Sequence, residues 1–81
     1  MRYGTETKRT PEEVLERARA FFGPGGDVGL PETVARQGVV TFATETGGVS
    51  VSARSIDGRT EVTVVSREYD YWAEKFIRAL R

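Results

Sequence analysis

Apolar residues recur at two different spacings along this chain. Between Pro11 and Phe22, the positions Val14, Leu15, Ala18, Phe21 and Phe22 share one side of a 3.6-residue repeat, which predicts an amphipathic helix. Its start is marked in the sequence. Thr10 is placed to cap the helix with its hydroxyl, Pro11 suits the first helical position, and Glu13 three residues on completes a capping box. Glu13 and Arg17 also form an i,i+4 pair in the favourable order. Gly23-Pro24 ends the repeat.

After Val28 the period falls to two. Leu30 to Arg36 predicts a weak strand, placed at a sheet edge by Pro31. Val39 to Thr44 is a stronger strand, with Val40 and Phe42 on its covered face. Gly47-Gly48 makes a turn. In the stretch that follows, Val49, Val51 and Ala53 alternate with Ser50, Ser52 and Arg54. Asp57-Gly58 is a hairpin signal, because both central positions of that turn need positive φ. Thr60 to Arg67 then sets Val62 and Val64 against Glu61, Thr63, Val65 and Arg67. The helical period returns from Tyr69 to Arg81, with Tyr69, Trp72, Ala73, Phe76 and Leu80 on one face and Ile77 at its margin. Asp70 is a cap or first-turn acid, and Glu74 and Arg78 form a second i,i+4 pair.

These elements predict one α+β domain over residues 10–81: an N-terminal helix, an antiparallel meander of three to four strands and a C-terminal helix. Both helices are expected on the Val49, Val51, Val62, Val64 face, with Trp72 and Phe76 near the centre of the core. Residues 1–9 are polar and weakly patterned, and read as a flexible N-terminal arm.

The order helix, strands, helix resembles a shortened helix-grip domain and one half of a TATA-binding-protein-like fold. It also looks like short uncharacterised bacterial proteins built on that order. The residues that carry the resemblance are the Thr10-Pro11-Glu12-Glu13 helix start, the Gly47-Gly48 and Asp57-Gly58 turns, and the Tyr69-Asp70-Tyr71-Trp72 start of the last helix. It covers residues 10–81 and is topological. It implies the fold and carries no site residue over to this chain. Helix-grip proteins hold ligands under a long C-terminal helix, which implies a small hydrophobic ligand as one alternative. The strands here are too few for a roomy cavity in a single subunit.

Composition narrows the chemistry. The 81 residues include no cysteine and no histidine, which removes disulfides, thiolate metal sites and the commonest general base together. The remaining acids are scattered, and Glu45 and Asp57 belong to turns, so no catalytic residue, metal site or cofactor is expected. Twelve basic residues balance twelve acidic ones, and no basic stripe interleaved with aromatics appears, so nucleic acid is not an expected partner. The arginine bias reads as genome composition. No apolar run approaches the ~20 residues of a membrane span, and the polar start has no signal-peptide centre. A cytoplasmic location is expected.

The functional expectation is a non-enzymatic interaction or homodimerisation module. Its candidate interface residues are Thr63, Val65, Arg67 and Arg54 on the outer sheet face, and Tyr71 on the outer side of the last helix, where Lys75 lies within cation–π reach. If the meander follows chain order, Thr60 to Arg67 ends the sheet with unpaired backbone groups. A two-fold copy would cover it. The alternative is that the N-terminal arm, through Arg2-Tyr3, covers the same edge.

Overall fold

A computed structural model of the chain describes all of residues 1–81. The elements in chain order are β1 (Arg2–Thr7), α1 (Pro11–Phe22), β2 (Glu32–Arg36), β3 (Val39–Ala43), β4 (Gly48–Ile56), β5 (Arg59–Arg67) and α2 (Asp70–Leu80). The five strands form one antiparallel sheet in the order β1-β5-β4-β3-β2.

The start of α1 forms as its sequence predicts. The Glu13 amide donates to the Thr10 hydroxyl at 3.1 Å, and the Thr10 amide donates to the Glu13 carboxylate at 3.0 Å. These hydrogen bonds hold the Glu13 carboxyl below its ordinary pKa; the Thr10 backbone amide contributes most and the Arg9 and Arg17 charges least. Because the ionised carboxylate accepts the Thr10 amide bond, that contribution is present above the unfolded-state pKa and is lost as pH falls through the lower folded one. Thr10→Ala keeps the backbone amide but removes the hydroxyl that accepts from the Glu13 amide, and should lower stability by about 0.5–2 kcal/mol at neutral pH. Part of that difference should shrink below the carboxylate range, which paired urea titrations at two pH values would measure. The expected Glu13–Arg17 ion pair does not form, since the cap engages Glu13, whereas Arg78 does reach Glu74 at 3.0 Å.

The Asp57-Gly58 turn has φ of 49° and 79° at its central residues, the left-handed conformation that this hairpin requires. The alternation along β4 and β5 translates into two faces. Val49, Val51, Ala53, Val62 and Val64 are buried with Val40 and Phe42 beneath the helices. Onto that face α1 lays Val14, Ala18 and Phe22, and α2 lays Ala73, Phe76, Ile77 and Leu80. Phe22 is the hub: it lies 4.9 Å from Phe21 edge-on, 5.2 Å from Phe76 and 6.0 Å from Phe42 between ring centroids.

Several expectations need correction. The sheet has five strands rather than three or four, because residues 2–7 are not a loose arm. They pair with β5 from Arg2↔Val65 to Thr7↔Thr60. The edge left open at Thr60 to Arg67 is therefore closed within the chain, and β5 is an interior strand. The pairing is anchored at both ends. The N-terminal ammonium donates to the Ser66 carbonyl, and the buried Thr60 hydroxyl donates to the Arg9 carbonyl at 2.6 Å. Trp72 is not central. It is half-buried at the rim beside Phe21, while Ile77, expected at the margin, is buried. The last helix turns its Phe76, Ile77 and Leu80 side to the sheet, which carries Trp72 toward α1. The predicted edge strand is present as β2, shorter than expected because Pro31 precedes it.

Candidate functional site

Both helices cover the same face of the sheet, so the other face has no layer over it. Cross-strand register defines that face. One row runs Arg2, Val65, Ser50, Thr41, Val34, and the next runs Gly4, Thr63, Ser52, Val39, Arg36. The side chains in the middle are small or β-branched and half-buried by their neighbours, except Val65, which is 41% exposed. The Thr41 and Ser50 hydroxyls are hydrogen-bonded at 3.1 Å, a cross-strand contact that ties the centre of this surface together.

Charge on this face is confined to its borders. Arg54 binds Glu61 at 2.9 Å, and Arg59 binds Glu6 at 3.3 Å. Arg2, Arg36 and Arg67 have no acidic partner and are exposed. The face thus carries five arginines against two glutamates. Since the whole chain has twelve of each sign, the rest of it holds seven basic and ten acidic residues. The molecule is neutral but polarised: the sheet face is basic, the two helices with Arg81 balance five acids against five bases, and the acidic excess lies in the loops and β2, at Asp27, Glu32, Glu45, Asp57 and Glu68. This segregation was not visible in the sequence total. It follows from alternation: arginine occupies outward positions on four of the five strands.

Of the interface residues expected from sequence, Thr63, Val65, Arg67 and Arg54 share this face. Tyr71 does not. It is 65% exposed on α2, on the helical side of the molecule, edge-on to Trp72 at 5.0 Å. The Lys75 ammonium sits over the Trp72 ring at 5.6 Å rather than over Tyr71. The residues that sequence reasoning missed are Arg2 and the outward positions Val34, Val39 and Thr41 of β2 and β3. The signal that finds them is register, once β1 and β2 are placed at the two edges.

Two other features have chemical interest. Between the end of α1 and α2 lies an open cleft of about 280 Å³ lined mainly by Ala20, Phe21, Phe76, Ala79 and Leu80. Its charged rim residues, Arg17, Asp27 and Lys75, are exposed. The Ser66 hydroxyl is buried without a hydrogen-bond partner on the helical face of β5. The structure contains no group of three or more acidic side chains placed to hold a metal ion. No helix is long and apolar enough to cross a membrane. Comparison with protein-family models, with curated proteins and with solved structures gave no match for this chain.

Proposed function

We propose that this chain is a non-enzymatic interaction module whose working surface is the uncovered sheet face, and that the face takes an acidic, extended segment of a partner protein. The observation that carries this reading is the border of arginines around an uncharged, small-residue floor. Arg2 and Arg36 stand at opposite edges, four strand spacings or about 19 Å apart. A segment of about six extended residues spans that distance. Arginine keeps its charge and makes paired hydrogen bonds to carboxylates, which suits such a partner. A second copy laid face to face would bring arginines against arginines, so charge disfavours that arrangement. No aromatic side chain lies on the face, which leaves no stacking platform for single-stranded nucleic acid.

The test is titration of isotope-labelled protein with an oligo-glutamate peptide at low salt. Amide shifts are expected at Val34, Val39, Thr41, Ser50 and Thr63, reversed by added salt and abolished by joint Arg36→Glu and Arg67→Glu replacement. Shifts confined to the helices, or none at millimolar peptide, would reject this surface.

The second reading is a small hydrophobic ligand, and its support is the cleft at Phe21 and Phe76. It is the weaker reading. The cleft is open, no charged residue is buried beside it, and the aromatic cluster beneath it is filled.

A further inference from the structure

Self-association belongs to the interaction-module reading, and the structure bears on which surface would serve it. The sheet has two edges. The β2 edge is blunted: Pro31 precedes it, a bulge separates Glu32 from Val34, and Glu32 is engaged by Arg19 at 2.9 Å. The β1 edge, six residues long, has neither the proline nor the bulge, and its Glu6 is held by Arg59 at 3.3 Å through one carboxylate oxygen.

The backbone of β1 determines which of its groups are free. Met1 and Ser66 exchange hydrogen bonds in both directions, so Met1 faces β5. Backbone groups alternate sides along a strand. Those of Tyr3, Thr5 and Thr7 therefore also face β5, and those of Arg2, Gly4 and Glu6 face away from the sheet. An antiparallel copy satisfies these groups when the two-fold axis passes at Gly4. In that register Gly4 meets Gly4, and Arg2 meets Glu6 in both directions. Arg2 and Glu6 lie on the same sheet face, opposite Val65 and Glu61 of β5, so their side chains meet as well.

The helix above this edge repeats the pattern. Asp70 and Glu74 lie close enough to Tyr3 to raise its pKa, after desolvation as the main cause. Leu80 and Arg81 lie by Glu6 and Thr7. An antiparallel copy sets the acidic start of one α2 beside the basic end of the other, with its Arg78 and Arg81.

We infer that the chain forms a two-fold dimer through β1, centred on Gly4 and selected by reciprocal Arg2–Glu6 pairs, giving a continuous ten-stranded sheet. This rests on the reading of the chain as an interaction module, but not on the acidic partner proposed for the sheet face.

Light scattering after size exclusion tests it, using the full chain. The parent should show twice its 9.0 kDa mass at high concentration. Arg2→Glu alone and Glu6→Arg alone should each weaken the dimer about tenfold or more, since two attractive pairs become repulsive. An equimolar mixture of the two variants should regain the dimer mass, because position 2 of each chain then again meets the opposite charge at position 6 of the other. Gly4→Pro should give a folded monomer. The lost N–H points away from the sheet, and a Cβ at Gly4 meets only the Val62 carbonyl at 3.6 Å. A monomeric parent at millimolar concentration overturns the dimer altogether. A dimer indifferent to the single reversals and to Gly4→Pro overturns this edge and register while leaving self-association by another surface standing.

Discussion

Phe22→Ala is expected to leave the chain unfolded, or nearly so, at ordinary temperature. Phe22 has no exposed surface and joins α1, the sheet and α2 through Phe21, Phe42 and Phe76. Its backbone carbonyl also accepts from the Leu30 amide at 2.7 Å, so the ring sits where the chain leaves the helix for the sheet. Truncating a buried phenylalanine costs about 3–5 kcal/mol through lost transfer energy and the cavity left behind. A domain of this length commands roughly 4–12 kcal/mol in total. Trp72→Ala is the informative comparison. Trp72 is the larger residue, but it is half-buried at the rim against Phe21, so its truncation should cost clearly less. Circular-dichroism melting of both variants decides the matter. If Trp72→Ala proves the more damaging, the core is centred on the wrong helix face.

The next largest effect is expected from Gly47→Ala. Gly47 is buried in the turn between β3 and β4, against the segment that leads into α2. A Cβ there would lie 2.8 Å from the Glu68 Cβ and 3.1 Å from the Tyr69 ring, and would overlap the Arg67 carbonyl oxygen. The first and last of these atoms belong to or adjoin the backbone, so they cannot swing aside. Either the turn or the start of α2 must move, at a cost of about 1–3 kcal/mol. Gly4→Ala is the control, because its Cβ would have ordinary van der Waals room. Urea midpoints should separate the two. Equal midpoints would show that the Gly47 turn and the α2 start are not packed as described.

Sequence alone was a good guide where the governing interactions are local. The α1 limits were legible because Thr10, Pro11 and Glu13 settle its start among themselves, and Gly23 ends it through a bond to the Arg19 carbonyl. The Asp57-Gly58 hairpin was legible because its two residues tolerate the positive φ that the turn needs. The two faces of β4 and β5 followed from alternation. For the same reason Thr63, Val65, Arg67 and Arg54 were grouped correctly on one surface.

The remaining features depended on parts of the chain far apart in sequence. β1 reads Arg-Tyr-Gly-Thr-Glu-Thr, polar on both sides, so it shows no apolar alternation. It is a strand because β5, more than fifty residues later, offers it a row of backbone partners and α2 shelters Tyr3. The centre of the α2 stripe was likewise set from outside. A helical repeat shows which residues share a side, but the seat of α2 on the sheet decides that Ile77 is buried and that Trp72 lies at the rim beside α1. The basic sheet face has the same origin. Each outward arginine is a local fact of alternation, while their assembly around one open surface required both helices to choose the same face and the two edge strands to take their places. Hydrogen bonding along the chain and side-chain period are encoded residue by residue; the pairing of distant strands, and the surfaces it leaves free, is decided only when the sheet is complete.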